Sequence, residues 1–304
     1  MFKKISIIIG TLLISLAFVG CAPKGDPSQV LNDYYDNIKN GDAKAAYNTL
    51  ADASKKNFKK DDFVKWVNAQ SEVYTFKGAK LDKGNEYKDK KLDGIVYKNA
   101  VEFNVVDTSH DNYNDKNTTA KYKRYVVNDN GKWKVYREKE NGKDVLAGSV
   151  IDLASMYAEG KGKSIDLNQA ASILNESVKT NPNYSPTYYA LSSVYCNLER
   201  YDESINAANK YLNNVKDEKN KSDTYNILGI DYKGKKDYAK AKKYFSQAIQ
   251  LNPNNQYAKT NLQQLSQEEE LNSLFQNWFY QKKNHLGGSF LVENTPDFES
   301  ECMY

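Results

Sequence analysis

The chain has 304 residues, long enough for two domains, and its 43 basic and 39 acidic side chains leave a formal charge of +4. Basic and acidic residues are interspersed, which excludes the dense basic stripe of a nucleic-acid binder. Three cysteines in a chain of this length exclude a disulfide framework.

Met-Phe-Lys-Lys opens the chain, and an apolar run of 15 residues follows from Ile5 to Val19. A membrane-spanning helix takes ~20 residues. A basic start, a short apolar middle and small residues before a cut site form the layout of a secretory signal peptide instead. The run ends in "FVGC", which resembles a bacterial lipobox with Phe18 where Leu is usual. That resemblance implies a leader over 1–20, then the lipidated Cys21 and a linker over 21–29. It implies a lipoprotein whose partner at Cys21 is the membrane, held on the extracytoplasmic face of the cell membrane. Loss of Lys3 and Lys4 with the leader lowers the charge to +2. Plentiful tyrosine, lysine and asparagine go with an AT-rich genome and hence a Gram-positive source.

Residues 30–144 change texture midway. "PSQVLNDYYDNIKNG" places Val30, Leu31, Tyr34, Tyr35 and Ile38 on one helical face. Gly41 breaks that helix and Asp42 caps a second, with Ala46, Tyr47 and Leu50. "KDDFVKWVNAQ" supplies a third, with Phe63, Trp66 and Val67. The period then drops to two in "VYTFKGAKL", "DGIVYKNAVEFNVV", "TTAKYKRYVV" and "GKWKVYRE", with "NDNG" as a hairpin turn. Three helices followed by an antiparallel sheet resemble an NTF2-like domain, which implies an α+β cone of three helices on a curved sheet. Enzymes of that family place His, Asp or Tyr inside the cone. His110 falls in the polar stretch "DTSHDNYNDKNTT", read as a loop, the wrong place for a pocket base. Asp107, Asp111 and Asp115 lack the order and glycine of a calcium loop. Tyr35, Tyr47 and Trp66 suit a cavity wall, but aromatics at helical spacing more often form core. No catalytic residue, metal site or cofactor is assigned anywhere in the chain.

Repeats dominate residues 148–267. Counting Ser222 as position one, Tyr225, Leu228, Gly229 and Tyr232 stand at 4, 7, 8 and 11. Ala241, Phe245, Ala248 and Pro253 follow at 20, 24, 27 and 32. Small residues at 8, 20 and 27 let antiparallel helices approach, while the large ones interlock them. The pattern resembles the tetratricopeptide repeat. A looser copy carries Tyr188, Leu191, Ser192 and Tyr195, then Ser204, Ala208 and Tyr211. The segment "VIDLASMYAEGKGKSIDLNQAASILNESVKTNPN" resembles a Sel1-type relative, and residues 257–267 fit a solvating helix. The resemblance implies an all-α solenoid of about three repeats. It places Ile151, Ser155, Tyr189, Ser193, Asn226, Ile230 and Lys233 on the concave wall. Asn226 and Lys233 are too few for a carboxylate clamp, so a peptide held by Tyr189 and Ile230 is expected. From Glu268 to Tyr304 the chain turns acidic, a tail with no sustained period beyond Tyr280.

Two functions follow. One is a membrane-anchored, non-enzymatic adaptor that binds an unknown protein or peptide in the repeat groove, with no role for nucleic acid. The other is a small-ligand-binding lipoprotein that uses the cone pocket, the repeats serving as stalk or dimer surface.

Overall fold

The computed structural model describes residues 23–138 and 140–285; the leader, Cys21, and the chain from Leu286 onward with Cys302 lie outside the described residues. The chain divides into two compact units, Met1–Ile165 and Asp166–Tyr304.

In the first unit four helices precede the sheet: α1 (Pro27–Lys39), α2 (Ala43–Thr49), α3 (Asp52–Asn57) and α4 (Lys60–Val73). Asp26 caps α1 by accepting from the Ser28 N–H, with Pro27 at its first turn, and Asp42 caps α2 by accepting from the Ala45 N–H. Gly41 joins the two helices at φ 75°, a left-handed turn that suits glycine. The short α3 is a helix beyond the three read from the sequence. With six residues it presents no apolar period.

β1 (Tyr74–Leu92), β2 (Ile95–Asp111), β3 (Lys116–Asp129) and β4 (Lys132–Tyr136) form one antiparallel meander in chain order. Asp93-Gly94 and Asn130-Gly131 both take positive φ at two successive residues, which matches the right-handed twist of the strands they join. β1 runs well past Leu81, because the charged stretch from Asp82 pairs with β2 as far as Ile95. The main core lies between helices and sheet: Leu31, Phe58, Phe63 and Val67 meet Phe103, Val105, Val126 and Val135.

α5 (Gly142–Glu159) belongs to this unit. It packs on α4, with Gln70 donating to the Ser149 hydroxyl at 2.6 Å. The end of α5 is tied to the β2–β3 turn, where the Tyr113 hydroxyl donates to Glu159 at 2.5 Å, and the chain after it is tied to α4, where Lys163 pairs with Glu72 at 2.7 Å.

The second unit is helical: α6 (Leu167–Thr180), α7 (Pro186–Asn197), α8 (Tyr201–Leu212), α9 (Glu218–Gly234), α10 (Tyr238–Leu251) and α11 (Gln256–His285). α7 packs on α8 and α9 on α10. The chain expected to leave the repeats at Gln267 stays helical to His285, so α11 is one 30-residue helix. Among the described residues no helix is long and apolar enough to cross a membrane.

Candidate functional site

The helix pairs α7–α8 and α9–α10 owe their closeness to small residues. Ser192, Ser204 and Ala208 are buried in the first pair, as are Gly229, Ala241 and Ala248 in the second. A Cβ at Gly229 would run into the Phe245 ring, so no side chain fits there. Leu191, Tyr195 and Leu228 fill the space between.

Polar locks accompany this packing. Asn255 donates to the Ser222 hydroxyl at 2.9 Å and accepts from the Ala258 N–H at 3.1 Å, pinning the start of α11 to the start of α9. The Ser222 hydroxyl donates to the Ala248 carbonyl at 2.7 Å. Asp231 is fully buried, with the Ser204 hydroxyl 2.7 Å from one oxygen and the Cys196 thiol facing the same carboxyl. Burial pushes the Asp231 pKa up to about 6, against the opposing effect of those two partners.

The residues expected to line the groove are all half-buried. Ile151 and Ser155 lie on α5 of the first unit, where the Ser155 hydroxyl donates to the Ile151 carbonyl. Tyr189 and Ser193 lie on α7, and Asn226, Ile230 and Lys233 on α9. The three on α9 are met by α11. Asn261 donates to Asn226 at 2.9 Å, and Lys233 pairs with Glu268 at 2.6 Å. Ile230 packs with Leu262 against Ala241, Phe245 and Leu265. Its side chain therefore supports the repeat core, besides standing where a peptide anchor is expected. Tyr189 also has a neighbour, the Tyr211 ring at 5.3 Å, and burial raises its hydroxyl pKa, with smaller effects from Asp223 and Tyr211. Ser193, four residues after Tyr189 on α7, is half-buried. Glu268 escaped the sequence reading, since its role requires the helix to continue past Gln267, and the Asn261 contact requires knowing which face of the solvating helix meets α9.

In the first unit His110 is not in a loop but within β2, its ring between Asn117 and Asp115 at 3.2 Å each. The aspartates do not converge. Asp107 accepts from the Tyr122 hydroxyl, Asp111 accepts from the backbone of Tyr113 and Asn114, and Asp115 pairs with His110. Among the described residues no group of three His, Cys, Asp or Glu side chains is placed to hold a metal ion. Tyr47 packs on Phe63, whereas Tyr35 and Trp66 line a cavity of about 660 Å³ between α1, α4 and the sheet.

Models of the tetratricopeptide repeat match residues 185–213 and 222–255. No curated protein matches the chain. Among solved structures it is similar to the Arabidopsis OM64 TPR domain, at 20% identity over 40% of this chain and 96% of that one, with a TM-score of 0.36. It is also similar to the first TPR domain of human RPAP3, at 19% identity over 40% and 90% with a TM-score of 0.35. A third is MamA from Desulfovibrio magneticus RS-1, at 14% identity over 47% and 78% with a TM-score of 0.37. The chain carries tetratricopeptide repeats, in the helix pairs α7–α8 and α9–α10.

Proposed function

We propose that the protein is a non-enzymatic adaptor, tethered outside the cell membrane by acylated Cys21, whose repeat groove holds a protein or peptide. One observation carries the adaptor reading: two consecutive segments match the tetratricopeptide repeat, and each forms a closely packed antiparallel helix pair. Such pairs bury their large residues against each other and leave a row of first-helix side chains for a ligand. Tyr189 and Ser193 provide that row on α7, while the α9 positions contribute beside α11. The "FVGC" stretch supports the tether, and four helices before a four-stranded meander support an NTF2-like first domain.

Two measurements test this. Palmitate should label the wild-type protein and not Cys21→Ala, which should leave the membrane fraction or accumulate as precursor; an unlabelled wild type removes the tether. Ser193→Arg fills the groove wall without removing a described hydrogen bond. It should abolish capture of a partner from membranes with the circular dichroism unchanged. Capture that persists in Ser193→Arg, or that residues 23–165 achieve alone, overturns the groove.

A further inference from the structure

We infer that the cavity of the first unit is a binding site for a small amphiphilic oxyanion, its head on the Arg124 guanidinium and its apolar body against Tyr35, Trp66 and Phe76. This site is independent of the repeat groove and of any protein partner.

The cavity holds about 660 Å³, within the ~300–1,000 Å³ that small-molecule sites occupy. Strand alternation puts Arg124 on the face of β3 shared with Tyr122 and Val126, toward the helices. Arg137, just past β4, reaches the same space and is only 9% exposed. Its guanidinium lies 4.6 Å from the Trp66 ring, donates to the Tyr34 hydroxyl at 3.2 Å and pairs with Glu140 at 2.7 Å. Arg124 has no such carboxylate among the described residues. Its charged neighbour is Arg137, its guanidinium donates a hydrogen bond to the Tyr35 hydroxyl and lies 5.2 Å from the Tyr122 ring, and Tyr34 is also near. The Nε of both arginines is shielded from solvent without a hydrogen-bond partner.

The rest of the lining does not compensate. Lys39 and Lys116 add positive charge at the rim, and Asp107 and Asp111 are the lining carboxylates. Asp107 already accepts from Tyr122 at 3.0 Å, and Asp111 is turned into its own loop, accepting from Asn114 Nδ2 at 2.8 Å. Two guanidiniums in one recess, of which only Arg137 is ion-paired to a carboxylate among the described residues, are unfavourable when the site is empty, because buried charges require partners. An oxyanion relieves that. The planar fork of Arg matches a carboxylate or a phosphate head, and the stacked Tyr35 and Phe76 rings, 6.0 Å apart, offer an apolar wall.

Benzoate, phenyl phosphate and the uncharged benzamide separate the contributions when titrated into the full-length protein by calorimetry and thermal melting. At least one oxyanion should bind saturably and raise the Tm, and benzamide should not; which oxyanion binds identifies the head group. Arg124→Met should weaken binding about tenfold or more and raise the Tm of the ligand-free protein, which a purely structural arginine would not do. If that variant fails to fold, Arg124→Lys keeps the charge, loses the fork and should bind several-fold more weakly. Equal binding of benzamide, unchanged affinity in a folded Arg124 variant, or no saturable binding by either oxyanion at about 10 mM, tenfold above a millimolar Kd, overturns the site.

Discussion

Ser204 has one hydroxyl proton and two acceptors within reach, the Ser192 carbonyl at 2.8 Å and Asp231 at 2.7 Å. Both contacts are satisfied when the Asp231 carboxyl carries its own proton and donates to Ser204, which in turn donates to Ser192. That agrees with a pKa raised to about 6 by burial. The sign follows from linkage: a carboxyl that holds its proton more tightly folded than unfolded stabilises fully below its ordinary value near 4. That contribution is lost as pH rises through 6. Its full span is about 3 kcal/mol, from roughly two pH units at 1.36 kcal/mol each. Asp231→Asn mimics the protonated form at every pH. Its Tm should exceed that of the wild type at pH 7.5 and converge with it at pH 4. Parallel Tm curves across that range would remove the buried-proton account.

At the scale of the element, α11 does two different jobs along its length. Leu262 and Leu265 close the cluster around Phe245, whereas Leu271, Phe275 and Trp278 are more than half exposed. Ending the chain after Gln267 removes the Glu268 and Glu269 ion pairs, which are partly exposed and together contribute ~1 kcal/mol or less. Ending it after Asn255 strips the cover from Phe245 and should cost about 2–5 kcal/mol. Two melts, one for each truncation, should therefore differ clearly; similar midpoints would contradict this division. The repeat helices were legible from the chain because glycine and alanine at fixed offsets report where helices cross. α3 was not, being too short to show a period, and neither was the far half of β1. There "DKGNEYKDKK" has no apolar alternation, and its strand form comes from pairing with β2. The arginine-lined cavity was hidden for a related reason. "KYKRYVV" shows a basic residue in a strand, but only the fold reveals that Arg124 points inward beside a second arginine.

For the whole molecule the boundary between the units matters most. Sequence texture ends the first domain at residue 144 and opens the repeats at 148, yet the contact boundary falls after Ile165. α5 is the reason: Gly142 abuts Phe58, Val145 packs on the main core, and Glu159 anchors Tyr113. A chain of residues 23–165 should thus unfold cooperatively. One of residues 23–144 exposes Phe58 and the α4 face, and should melt at least ~10 °C lower or lose its cooperative transition. Equal melting of the two would show that α5 is dispensable to the first unit.

The buried carboxyl on α9 has an effect on its sulfur neighbour too. Among the described residues Cys196 is a free thiol, whose pKa is pushed up by burial and then by Asp231, so very little thiolate forms at neutral pH. Iodoacetamide should therefore spare it in the folded protein and reach it only when α7 and α9 separate. Its alkylation rate becomes a built-in clock for transient opening of the repeats, readable by mass spectrometry under native conditions. Anything that seats in the groove and holds those two helices together should slow that clock.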